Sequence, residues 1–158
     1  MLIDAHGHRP LPAESALATL AAELLASPRP LSIALHGPLG AGKTSFTRAL
    51  LRGLGHQGPV RSPTYTLVEQ YELPPSAGTL WHLDLYRLGS PEEADWLGLH
   101  DFEPDQDWLL VEWPQRAADH LPDLDLRLVL DYADPGRDYQ IEALSARGQR
   151  LLRSLAAS

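Results

Sequence analysis

The sequence predicts an α/β fold in which helices flank a mixed β-sheet. Three observations lead there. Helix-patterned and strand-patterned segments alternate along the 158 residues, and elements alternating in this way pack as layers. A glycine-rich turn joins an apolar strand-like run to a helix-like one. Near the C-terminus, two alternating segments flank a turn signal and form an antiparallel hairpin, which makes the sheet mixed rather than purely parallel. The length suits one domain, and residues 1–158 are read as such, with enough chain to bury a core without disulfide staples.

Each element has its own signal. Residues 13–26 are rich in Ala and Leu, with Leu17, Leu20 and Leu24 at i, i+3 and i+7, the spacing of an amphipathic helix. Pro28 and Pro30 close it. Residues 31–36 (LSIALH) form a short apolar run suited to a buried strand. Residues 43–54 put Phe46, Ala49 and Leu50 on one helical face, and Gly53 and Gly55 mark the end. Residues 64–73 (TYTLVEQYEL) carry the Thr, Val and Tyr that strands favour. Residues 79–86 (TLWHLDLY) and 108–113 (WLLVEW) are further strands. Between them, Ser90-Pro91-Glu92-Glu93 reads as a helix start: a capping serine, a proline at the first position and a glutamate three residues after the cap. Residues 125–132 and 138–144 alternate around Asp134-Pro135-Gly136, and residues 145–157 predict a terminal helix.

Composition excludes several classes. Thirteen basic residues against twenty-one acidic ones give a net charge of −8. A surface of that sign binds phosphate backbones poorly, so no direct DNA binding is expected. Without cysteine there is no disulfide framework, thiolate metal site or cysteine nucleophile. Eighteen apolar residues never run together, which argues against a membrane span. The opening MLIDAHGHRP lacks the charged and apolar regions of a signal peptide. A soluble cytoplasmic protein is expected. Two absences are sharper: the chain has no asparagine, and Lys43 is its one lysine.

That lysine sits in Gly37-Pro38-Leu39-Gly40-Ala41-Gly42-Lys43-Thr44, which fits G-x-x-x-x-G-K-[ST] at every fixed position. The flanks fit too, a strand entering and a helix leaving. Glycines let successive N–H groups turn inward around a phosphate. The following helix adds unpaired N–H groups and the positive end of its dipole. Lys43 supplies a point charge to the β- and γ-phosphates, and the Thr44 hydroxyl suits Mg²⁺. The fold class is therefore P-loop NTPase-like. Guanine readers of this class use N-K-x-D, which cannot occur here, so ATP is the nucleotide expected. Mg²⁺ needs a further carboxylate after an apolar strand, and both Glu112 and Asp84 fit. His82 shares a strand face with Asp84; on its own, a histidine so placed is read as a packed or surface one, and the remaining histidines show no metal-ligand spacing.

Longer runs go further. LHGPLGAGKTSFTRALLRGLGHQGPVRSPTYTLVEQY, HLDLYRL, LVEWPQ and an arginine after a late Pro-Gly turn together resemble the TsaE (YjeE) family of bacterial ATPases, over about residues 31–140. The resemblance implies an Mg²⁺-dependent ATPase, of low activity alone, acting with TsaB and TsaD. With TsaC, which makes threonylcarbamoyl-adenylate, these install threonylcarbamoyladenosine beside the anticodon of tRNAs reading ANN codons. The tRNA is then contacted mainly through the partners. Gly40, Ala41, Gly42, Lys43, Thr44 and Ser45 match the family's phosphate cradle. Thr44 and Glu112 match its Mg²⁺ ligands, and Asp84 its essential aspartate, placed to orient water. Thr64 stands where a threonine can sense the γ-phosphate. Trp113 is expected near the nucleotide, and Arg137 against the adenine. Pro38 and Ser45 depart from common family residues without removing a main-chain phosphate contact.

Two alternatives stand beside this reading. One is a small-molecule kinase on the same loop, although Arg116, Arg127 and Arg137 lack the clustering of a kinase lid. The other is an ATP-binding adaptor without hydrolysis. Residues 92–107 hold seven acids and no Lys or Arg, which fits a solvated loop or a face that docks a partner.

Overall fold

A computed structural model describes residues 8–11, 14–38, 41–74, 77–132 and 137–157. Its elements are β1 (His8–Leu11), α1 (Glu14–Leu24), β2 (Ser32–His36), α2 (Lys43–Gly53), β3 (Val68–Glu72), β4 (Thr79–Asp84), β5 (Trp108–Glu112), β6 (Leu126–Tyr132), β7 (Arg137–Ala143) and α3 (Ala146–Ala156). The strands form one sheet in the order β1-β7-β6-β2-β5-β4-β3. Its centre is parallel: β2 pairs with β5 and β6, and β4 with β5. Both margins are antiparallel, through β3–β4, β6–β7 and β1–β7. The mixed sheet and the C-terminal hairpin thus match the expectation. The Asp134-Pro135-Gly136 turn lies outside the described residues.

Residue period two divides the sheet into two faces. On β2, β4 and β5, Ile33, Leu35, Leu80, Trp108 and Leu110 join the core under the helices. Ala34, Trp81, Leu83, Leu109 and Val111 point the other way, into a second cluster with Phe102 and Leu88. Five buried residues in a row on β5 are what a strand covered on both faces requires. Leu17, Leu20 and Leu24 of α1 and Phe46 and Leu50 of α2 are fully buried against the first face. Each such side chain contributes about 1.5–3 kcal/mol when buried.

Two local expectations are corrected, and one strand is added. Residues 64–67 are a turn and not strand, because Leu67 takes φ +67° and its N–H donates to the Pro63 carbonyl at 2.8 Å. Pro91–Trp96 is a 3₁₀ segment instead of an α-helix. Only Ala94 is buried there while Trp96 is 89% exposed, so no apolar stripe exists to hold an α-helix down. Glu93 also accepts from Gly89 N–H at 3.0 Å, one residue before the predicted capping-box partner. Strand β1 had no sequence signal; four residues with a central proline become a strand only by lying beside β7.

The acidic stretch is largely engaged within the fold. Asp107 accepts from the N–H groups of Thr79 and Glu103, both at 2.9 Å. Asp105 bridges Arg29 at 3.0 Å and Arg147 at 2.9 Å, and Asp95 meets His120 at 3.0 Å. A second carboxylate, Asp125, ties the sheet to α3. It accepts from Ser32 N–H at 2.8 Å and Ser145 Oγ at 2.7 Å, while Ser145 caps α3 at Gly148 N–H. Asp125→Ala leaves a buried N–H and a hydroxyl without partners. We expect a loss of about 2–3 kcal/mol in urea unfolding, with an unchanged denaturant slope.

Candidate functional site

Parallel strands leave their carboxyl ends side by side, and a crevice opens where the chain departs in opposite directions. Here β2 runs into α2, while β4 and β5 end beside it. The register sets Asp84 opposite Glu112. Both lie on the α2 face of the sheet, continuing the series Leu80, His82, Asp84 and Trp108, Leu110, Glu112. A cleft of about 760 Å³ forms there, and Lys43, Thr44, Thr64, Asp84, Glu112 and Trp113 all line it.

The loop owes its shape to two glycines. Gly37 has φ +151°, and a Cβ there would collide with the Leu130 carbonyl oxygen of β6. Gly42, the N-cap of α2, has φ +113° and ψ 10°, a conformation costly for other residues. Because the cap is a glycine, no side chain covers the helix N-terminus, and its first turn carries no acidic residue. The N-terminal N–H groups and the dipole are left to face the cleft, an arrangement suited to an anion. Gly40 lies outside the described residues. Ala41 is buried, Thr44 exposed and Ser45 half-buried.

Two groups, Lys43 and His82, converge on Glu112. Lys43 Nζ lies 3.1 Å from its Oε1, and His82 Nε2 lies 3.0 Å from its Oε2. Burial pushes the Glu112 carboxyl up, but the His82 hydrogen bond and the Lys43 ammonium outweigh it and hold it below the usual carboxylate range. It is ionised at neutral pH. Beside it, Asp84 accepts from Tyr86 N–H at 3.1 Å and from Thr64 Oγ1 at 3.5 Å, and Thr64 Oγ1 is 2.7 Å from Ser62 Oγ. A hydroxyl and two carboxylates are hard oxygen donors, the set that fits Mg²⁺ rather than a thiophilic ion.

Among the described residues, two non-glycine residues hold left-handed backbone, Leu67 and Trp113; Trp113 lines the cleft. Leu67 ends the loop that carries Ser62 and Thr64, and its carbonyl accepts from Asp84 N–H at 3.0 Å. Trp113, at φ 60° and ψ 49°, turns the chain immediately after Glu112. That turn brings its ring to 5.1 Å from Tyr86, while Arg116 lies over the other partner, Tyr86, at 5.4 Å. Arg87 stacks on exposed Tyr65 at 4.6 Å. Such conformations cost about 1–3 kcal/mol each and gather at functional sites.

The fold thus brings Lys43, Thr44, Thr64, Asp84, Glu112 and Trp113 into one cleft. Arg137 opens β7 and is described by its backbone alone, paired with Tyr132. Sequence reasoning missed two participants, His82 and Tyr86. For His82, the signal present was its shared strand face with Asp84; for Tyr86 there was none, because its place depends on the turn at Trp113.

Fold and cleft together define the class: a P-loop-type α/β protein with its loop at the carboxyl ends of parallel strands. A family model described as "Threonylcarbamoyl adenosine biosynthesis protein TsaE" matches residues 11–139. The chain is 40% identical over 122 residues to the tRNA threonylcarbamoyladenosine biosynthesis protein TsaE of Haemophilus influenzae, covering 77% of this chain and 76% of the relative. With the protein of the same name from Bacillus subtilis it shares 36% identity over 128 residues, covering 78% and 77%. The crystal structure of Bacillus subtilis YdiB superposes with a TM-score of 0.75 at 28% identity, over 95% of this chain and 93% of that one. This chain belongs to the TsaE family of threonylcarbamoyl adenosine biosynthesis proteins.

The depressed Glu112 pKa has a sign that can be tested. A carboxylate with a lowered folded pKa adds stability above its unfolded value, about 4.3, and loses it as pH falls through the folded value. The Tm difference between the unmutated chain and Glu112→Gln is therefore expected to be constant from pH 8 to 5, and to close only below the ordinary carboxylate range.

Proposed function

We propose that this chain is an Mg²⁺-dependent ATPase that serves threonylcarbamoylation of the adenosine next to the anticodon in tRNAs reading ANN codons, acting with TsaB and TsaD. The observation that carries the proposal is the convergence of Lys43, Glu112 and Asp84 beside a helix N-terminus that no side chain caps. Membership of the TsaE family supplies the pathway. ATP is favoured over GTP because the chain has no asparagine and its one lysine is committed to the loop.

The roles follow from placement. The α2 N-terminus and Lys43 bind the β- and γ-phosphate oxygens, and a phosphate draws the ammonium from Glu112 Oε1. Thr44 and Glu112 are the residues that would hold Mg²⁺, which would supply positive charge to offset that of the phosphates. Asp84 orients the attacking water toward the γ-phosphorus, and Lys43 stabilises the negative charge that develops. Thr64, whose Oγ1 lies 3.5 Å from Asp84 Oδ2, senses the γ-phosphate. Its neighbour Tyr65 is exposed and stacked on Arg87, so a shift of the loop reaches the surface where TsaD and TsaB would feel it. Trp113 packs beside the nucleotide; the role of Arg137 against the adenine rests on the family resemblance alone. The net charge of −8 leaves tRNA contact mainly to the partners. Among the described residues, no helix is long and apolar enough to cross a membrane, and a cytoplasmic location fits work on tRNA.

Phosphate release from the chain reconstituted with TsaB, TsaD and tRNA tests the reading. Asp84→Ala is expected to lower the rate by at least 10²-fold while ATP affinity changes little. Equal release from both chains would sink the catalytic assignment; no release from either, with normal tRNA modification, would leave a non-hydrolysing adaptor. By isothermal titration, Lys43→Ala is expected to weaken ATP binding at least tenfold, with or without Mg²⁺.

A further inference from the structure

We propose that His82 is a positioning residue: it fixes the Glu112 carboxylate so that one oxygen, Oε1, is presented to the loop and to the cation. The inference rests on the reading of the cleft as an Mg·ATP site. Glu112 has three rotatable side-chain torsions, and at the end of a strand it has room to swing. Its two oxygens are treated differently. Oε1 faces Lys43, which begins α2. Oε2 meets the His82 ring at 3.0 Å, a contact buried inside the fold. The ring itself is 3% exposed, so it has no rotamer to yield to.

The proton arrangement follows from the partners. An ionised carboxylate only accepts, so Nε2 is the donor. Nδ1 is buried and has no hydrogen-bond partner among the described residues. A histidine kept for packing alone would be poorly chosen, since an apolar residue of similar volume strands no ring nitrogen. The position keeps the one thing the apolar residue lacks, a donor aimed at Oε2. Strand β4 therefore serves both carboxylates from one face: Asp84 directly at its end, and Glu112 on the neighbouring strand through His82, two residues earlier. Partners of this kind around a cation-binding carboxylate are commonly worth 10–100-fold in metal affinity.

The test uses the full chain with three substitutions, and ATP titrated calorimetrically with and without Mg²⁺. His82→Leu removes the donor. Glutamine places an amide N–H near the position of imidazole Nε2, and asparagine is too short to reach. His82→Leu and His82→Asn are expected to bind Mg-free ATP as the unmutated chain does, but to lose about 10–100-fold of the gain in affinity that Mg²⁺ brings. His82→Gln is expected to retain most of it. The Mg²⁺ concentration for half-maximal phosphate release should rise in the same order. Mg²⁺ dependence unchanged in Leu and Asn, or lost equally in Gln, overturns the positioning role while leaving the nucleotide site intact. Should His82→Leu fail to fold, the Gln and Asn pair carries the same comparison. An unmutated chain that binds no ATP in either condition overturns the reading of the cleft, and this inference with it.

Discussion

The register between β4 and β5 is the constraint on which this molecule depends. Hydrogen bonding between two parallel strands fixes Asp84 opposite Glu112, and the pleat then commits both to the face where α2 begins. A slip of one residue in either strand would turn that strand's carboxylate toward the opposite apolar cluster and part it from its partner. The register is itself held by burial: Leu80, Leu83, Leu109, Leu110 and Val111 are all fully buried, and none can change face without exposing its neighbour's alternate. The hydrophobic pattern that folds the sheet is thus the same pattern that aims the acids.

Electrostatics at the cleft is a balance between attraction and burial. Glu112 would be raised by desolvation alone; two donors on two different elements reverse that. His36, at the end of β2, is likewise pushed below its usual value, by burial first, then by Arg127 and Lys43, and in a histidine that favours the neutral form. The loop entrance therefore avoids adding positive charge of its own. The cationic character of the cleft is concentrated in Lys43 and in the dipole of α2, where an anion would need it.

Backbone strain is placed beside this balance. Leu67 and Trp113 occupy left-handed backbone at the ends of the two loops that bracket the acids, and each is secured: Leu67 by main-chain bonds to Pro63 and Asp84, Trp113 by the Tyr86 ring. Such loops have two competing demands, the cost of the conformation and the contacts that hold it, and so respond to small changes at the site.

Much of this was legible in the residues themselves. The period-two and period-3.6 patterns fixed β2, β4, β5, β6, β7 and all three α-helices within a residue or two, because core burial and local periodicity agree there. The loop from Gly37 to Thr44 was legible because positive φ and close backbone approach admit only glycine, as the Leu130 carbonyl beside Gly37 illustrates. What tertiary structure alone decided was which distant segments meet. Strand β1 exists only because β7 offers it an edge. The 3₁₀ form of Pro91–Trp96 reflects a missing apolar stripe, even though its capping residues are good. His82 reads as an ordinary core histidine until the neighbouring strand puts Glu112 Oε2 at 3.0 Å. Local sequence determines the shape each segment prefers; long-range pairing, paid in chain entropy, determines which side chains share a site.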